Sequence, residues 1–187
     1  MTTTTRRVLV LGGLLLLAGA TLQAAAHRTT FSATVDQWSY QVGAWATLAG
    51  GAALAVVASR WPTGPVAAAM AAVGSVLLAA RAFCEATVNP ALVDTAPKLL
   101  DERPATSMLV GMGVVTVGFA VGWLDFGVSL LRRSGRTAPA IAVVIASVVC
   151  LAPMVPGPAV LGLALVWLAT STVPERGIPE SGLPRTS

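Results

Sequence analysis

The sequence is short of charge, histidine and cysteine, and each shortage removes a class of function. Only 11% of the residues are charged, against about 25% in an ordinary soluble domain. A chain of 187 residues has too much surface for its volume to absorb that deficit in a larger core. The missing charged surface must face something apolar. One histidine and two cysteines, Cys84 and Cys150, cannot build a Cys/His zinc cluster or a haem held by two histidines. No Walker-type loop and no dinucleotide-binding glycine run occurs, so no cofactor is expected. The formal charge of +4 does not signal nucleic acid, because the basic residues are scattered between apolar runs without an aromatic-basic module.

What is present is a series of apolar runs joined by proline- and glycine-rich turns. The expected fold is all-α: a bundle of six transmembrane helices in the cytoplasmic membrane, spanning about residues 8–26, 40–59, 65–86, 107–131, 137–155 and 158–173. The first run is about 19 residues, or roughly 28 Å as a helix, enough to cross the hydrocarbon core. With Arg6-Arg7 before it and Ala24-Ala25-Ala26 at its end, it also has the layout of a secretory signal. The expectation is a retained helix, with five spans if it is cleaved. Tyr40 and Trp45 at one end of the second run and Trp61 past the other suit interfacial aromatic belts. The fifth run is short. Residues 174–187 read as a polar, disordered cytoplasmic tail.

Arginine placement sets the orientation. With six spans, Arg6, Arg7, Arg60, Arg132, Arg133, Arg136, Arg176 and Arg185 fall on one side, so both termini are expected in the cytoplasm. The outward side then carries residues 87–106, in which Asn89-Pro90 and Ala96-Pro97 are expected to break the helix. One or two short helical turns lying on the surface are expected between and after those breaks.

Polar chemistry concentrates between Arg81 and Pro104. Arg81 and Glu85 are four residues apart, hence on one helical face, and a charge in a membrane is costly unless it is paired or reaches the interface. They read as a structural ion pair or as an outward-opening polar site completed by His27, Asp94 or Asp101. Asp125 is the third charge inside an apolar run. It reads either as a proton-accepting carboxylate or as one bonded to Arg132, Arg60 or hydroxyls. In membrane depth the outer pair and the inner Asp125 leave a gap without ionisable groups, which argues against a proton relay. One histidine among scattered carboxylates does not make a metal site, and no serine sits in a nucleophile elbow. Cys84 and Cys150 could form a disulfide only if the third and fifth spans were neighbours.

Gly111, Gly118 and Gly122 line one face of the fourth span, and Gly43, Ala46 and Gly50 offer a similar seam in the second. Such residues let helix backbones approach closely in lipid. The strings Asn89-Pro90-Ala91-Leu92, Ala96-Pro97-x-Leu99-Leu100-Asp101 and Gly122-Trp123-Leu124-Asp125-Phe126-Gly127 resemble those of a loose group of small multi-span membrane proteins from high-GC bacteria. The resemblance implies six spans and carries no activity or site with it. Two functional classes follow. The first is a non-enzymatic membrane subunit that binds a partner or a lipid-like ligand, its partners being membrane lipid, further copies of the chain or another membrane protein. The second is a small transporter or membrane enzyme using Arg81 and Glu85 or Asp125.

Overall fold

The computed structural model describes residues 2–61, 64–101, 106–134, 137–152 and 157–171, with the backbone alone at 106–109 and 134. The described elements are all helical: α1 (Thr3–Ala25), α2 (Phe31–Val35), α3 (Trp38–Arg60), α4 (Pro65–Thr95), α5 (Pro97–Asp101), α6 (Thr106–Ser134), α7 (Ala138–Val149) and α8 (Gly157–Ser171). Local chemistry starts them. The Thr2 hydroxyl accepts the Thr5 N–H at the head of α1, satisfying one orphan donor. Proline occupies the first turn of α4 and of α7, where its missing N–H costs nothing. Four of these helices, over Thr3–Ala25, Trp38–Arg60, Pro65–Thr95 and Val110–Arg133, are long and apolar enough to cross a membrane, whereas α7 and α8 are shorter apolar helices.

The six larger helices form a closed ring. Each packs against the next in the order α1, α3, α4, α6, α7, α8, and α8 returns to α1; among the described residues none of the six backbones touches another across the ring. Neighbours run antiparallel. One end of the ring carries Arg6, Arg7, Arg60, Arg132 and Arg133 and is called the basic end below; there the Arg6 guanidinium donates to the Thr170 carbonyl, joining the start of α1 to the end of α8. The other is the far end, where α2 and α5 lie.

Small residues hold the ring tight. A Cβ at Gly13 would stand 2.7 Å from the Gly162 carbonyl oxygen, so only glycine lets α1 and α8 close the circle. The same holds where Gly74 of α4 meets Gly118 and Phe119 of α6. Contact at that range multiplies dispersion attraction along the whole crossing. The polarity is otherwise inverted relative to a soluble bundle. Val66 is 70% exposed, Leu163 59% and Ile145 57%, so a continuous apolar skin faces outward.

The helices differ in reach. At 1.5 Å per residue, α4 is about 46 Å long and α6 about 43 Å, but α7 is only about 18 Å and α8 about 22 Å. Helices α7 and α8 therefore rise from the basic end only part-way along the longer helices. The runs expected over 137–155 and 158–173 are shorter as helices, and residues 153–156 and the tail 174–187 lie outside the described residues.

Several local expectations are corrected. The helix expected to end at residue 86 continues through Asn89 and Pro90 to Thr95. Proline removes one ladder hydrogen bond, but the top of α4 packs against α2, α3 and α5, and the buried Asn89 side chain donates to the Tyr40 hydroxyl. Of the supposed aromatic belt, Tyr40 is buried in that contact and Trp61 packs edge-on against Phe126, leaving Trp45 on the outside. Cys84 and Cys150 are both free thiols; α4 and α7 are not neighbours in the ring, so the geometry a disulfide needs is absent.

Candidate functional site

The ring is filled in its basic-end half and hollow in its far-end half. Trp123, Phe119 and Phe126 of α6 are the largest fully buried side chains, and Leu9, Leu54, Val143, Leu161 and Leu165 pack around them from four other helices. Trp123 and Phe126 meet edge to face with centroids 4.9 Å apart, a favoured aromatic geometry. The Trp123 indole N–H donates to the buried Ser75 hydroxyl at 3.0 Å, so the one polar atom of the ring system is satisfied.

Above this plug lies a cavity of about 930 Å³, near the upper end of the roughly 300–1,000 Å³ of small-molecule sites. Five of the six ring helices border it, and on the sixth side the residues just past α7, Cys150 to Ala152, do so. Leu78 and Phe119 form its apolar floor, and Met112, Val117 and Cys150 line its sides. The polar groups are Gln23, His27, Thr47, Arg81, Glu85 and Thr116. The tips of α7 and α8 border it side by side, one with carbonyls and the other with N–H groups. Their opposed dipoles largely cancel, so the charge in the cavity is that of its side chains.

Those side chains are organised. The Arg81 Nε donates to Glu85 Oε1 at 2.7 Å, and Gln23 Nε2 donates to Glu85 Oε2 at 2.8 Å. Both carboxylate oxygens are thereby held, Glu85 being 13% exposed and Arg81 33%. The Arg81 Nη1 and Nη2 groups have no acceptor among the described residues. The cluster thus presents the terminal fork of a guanidinium, which matches a phosphate or carboxylate. Hydrogen-bond donors are in excess over acceptors, so the arrangement favours a ligand rich in acceptor oxygens.

Of the residues singled out in the sequence, the structure brings together Arg81, Glu85 and His27, the last exposed at the cavity rim. Asp94 is exposed on the last turns of α4. Asp101 lies elsewhere: its carboxylate accepts the Ser32 N–H at 2.8 Å and the Ser32 hydroxyl at 2.6 Å, tying α5 to the first turn of α2. Those two donors hold its carboxyl below the usual carboxylate range. Asp125 sits half-buried in the basic-end half of α6, away from the cavity, and no hydrogen bond or ion pair reaches it from the described residues. Gly118 and Gly122 lie against α4, whereas a Cβ at Gly111 would meet nothing within 4 Å. Among the described residues, no three of His, Cys, Asp and Glu lie together as a metal would require.

Sequence reasoning missed Gln23. It sits on α1, whose backbone does not approach that of α4, and its side chain reaches Glu85 across the interior of the ring. No spacing within the sequence announces such a pair. Comparison with protein-family models, with curated proteins and with solved structures returns no match for this chain.

Proposed function

We propose that the chain is a six-helix, multi-pass membrane protein that holds an amphiphilic, lipid-like molecule in the far-end cavity, without carrying out a reaction on it. The observation that carries this reading is the pairing of an apolar floor, Leu78 and Phe119, with the Gln23–Glu85–Arg81 cluster in one cavity of about 930 Å³. An amphiphile satisfies both surfaces at once. The apolar outer skin and the arginines gathered at one end support a membrane setting with both termini in the cytoplasm. The same packing supports retention of α1: Leu9 and Leu16 are fully buried, and cleavage would strip one flank from α3 and from α8.

A second reading, a small transporter or membrane enzyme, draws on one observation: the cavity reaches Glu85. A transporter also needs a polar path across the bundle. Below Phe119 the ring is closed by Trp123 and Phe126, and Asp125 lies at their level, without a polar link to the cavity among the described residues. The amphiphile reading is therefore preferred. Native mass spectrometry of the full chain in mild detergent tests it. The expected result is one small apolar-tailed molecule per chain, released on denaturation. Protein that is bare under every mild extraction condition would overturn the reading.

A further inference from the structure

We infer that Gln23 sets the charge preference of the cavity: by holding one oxygen of Glu85 from across the ring, it keeps the Nη1/Nη2 fork of Arg81 free to seat the carboxylate or phosphate of an acidic amphiphile. This rests on the amphiphile reading above and names the headgroup chemistry and the residue that selects it.

The cluster departs from what α4 alone would build. An arginine and a glutamate four residues apart on one helix face each other, and a guanidinium beside a carboxylate often shares two parallel hydrogen bonds with both of its oxygens. Such a pair is closed and leaves no charged fork for a ligand. Here Arg81 gives Glu85 its Nε, to Oε1 at 2.7 Å. The second oxygen is taken by Gln23 Nε2 at 2.8 Å. An amide that faces a carboxylate must present its N–H. The terminal torsion of a glutamate turns easily, so nothing within Glu85 keeps it in the one-bond arrangement. The hold comes from α1.

Gln23 is itself held in place. On α3, Gly43 leaves the room its stem needs: a Cβ there would stand 2.9 Å from Gln23 Cγ and 3.0 Å from Gln23 N. The stem therefore lies against the α3 backbone, and the amide reaches inward to α4, where Gln23, Arg81 and Glu85 all border the cavity. Every group in this assignment belongs to α1, α3 or α4.

The chemistry of the head follows from what is left over. A hydroxyl or ester meeting the fork gains an ordinary hydrogen bond, whereas an oxyanion gains two charge-assisted ones in one plane. A cationic head finds both Glu85 oxygens already bonded. The apolar floor begins directly below. Leu78 lies three residues before Arg81, about 4.5 Å along α4, so an acidic head and an apolar tail are served by adjacent turns of one helix.

The test is native mass spectrometry of the full chain in mild non-ionic detergent with equimolar hexadecanoic acid and hexadecanol, read as the ratio of the two bound species. The unaltered chain is expected to hold the acid over the alcohol by at least roughly tenfold, as a charge-assisted pair implies. Hexadecyl phosphate is expected to bind like the acid, and hexadecylamine no better than the alcohol. Gln23→Met keeps the stem and removes the donor. It is expected to let Glu85 close on the fork, lowering the acid-to-alcohol ratio at least roughly fivefold with alcohol binding unchanged. The double variant Q23M/E85Q is expected to match Glu85→Gln alone, because Gln23 acts only through the carboxylate it holds. R81Q/E85Q, which leaves no lone charge, is expected to bind acid and alcohol equally. Excess inorganic phosphate is expected to leave the bound acid in place.

Equal binding of acid and alcohol by the unaltered chain, or an acid preference that survives in R81Q/E85Q, would overturn the anionic head on Arg81 while leaving an amphiphile in the cavity. A ratio unchanged in Gln23→Met, or lowered as far by that substitution in the E85Q background as without it, would overturn the role of Gln23. Displacement of the acid by inorganic phosphate would mean that the fork takes a free anion rather than an amphiphile. A chain that holds none of the probes and releases no native molecule would remove the amphiphile reading as well.

Discussion

The two halves of the ring are built from the same helices and have opposite interiors. Toward the basic end, aromatic side chains of α6 reach inward, every neighbour contributes an aliphatic group, and the one indole N–H has its serine. Toward the far end, the helical parts of α7 and α8 have ended, the α6 positions on the cavity include Met112, Gly113 and Thr116, and a charged cluster projects from α4. The lesson is that a ring of helices without cross-ring backbone contacts is solid only where large side chains fill it. Placing three aromatics at one level, and small or polar residues at the other, separates scaffold from site within a single layer of helices.

The sharpest way to break that comparison is to cut both halves equally. Trp123→Ala is expected to cost about 3–5 kcal/mol, as truncating a buried aromatic does, with a large drop in melting temperature in detergent. Thr116→Ala at the cavity wall is expected to stay within about 0.5 kcal/mol. Equal effects would show that the far half is as solid as the near one.

The ion pair comes next. Glu85→Gln is expected to lower stability by about 1–3 kcal/mol, chiefly by leaving Arg81 without its counter-charge. That is less than the 3–5 kcal/mol or so for breaking a fully buried pair, because Arg81 is 33% exposed. Unchanged melting together with a lost transport or enzymatic activity would instead favour the catalytic or transport reading.

Glycines on one helix provide a smaller contrast. At Gly122 a methyl group would collide with the Met70 carbonyl of α4, while at Gly111 it would meet nothing. Gly122→Ala is expected to cost about 1–3 kcal/mol through forced separation of the two backbones. Gly111→Ala is expected to be neutral or to gain a few tenths from helix propensity. Matching losses would mean that Gly111 packs against another copy of the chain.

The smallest expected effect concerns the cap at the far end. Because Ser32 donates twice to Asp101, the folded carboxyl titrates below its usual value. Its contribution to docking α5 on α2 is therefore complete above the ordinary carboxylate value of about 3.9, and is lost as the pH falls through the lowered one. Hydrogen exchange over residues 30–36 is expected to accelerate only in that acid range, and Asp101→Asn is expected to remove the dependence.

The apolar runs were legible because hydropathy acts over many residues at once, and the turns at Trp61 and Thr137 were legible because proline and glycine act locally. Arg81 and Glu85 could be paired from their spacing alone. Pro90 misled because the local rule against helix continuation was outweighed by packing of α4 against its neighbours and by the Asn89–Tyr40 contact. Gln23 was invisible for a different reason. Its partner depends on where the ring closes, and that is decided by the contact of α1 with α8 rather than by anything near either residue.

The meeting of Gly13 with Gly162 joins the first described helix to the last. Until α8 emerges from the ribosome, α1 has one bare glycine-lined flank, and the nascent chain is an open arc rather than a circle. A chain arrested before Gly157 would lack α8 and leave that flank of α1 uncovered.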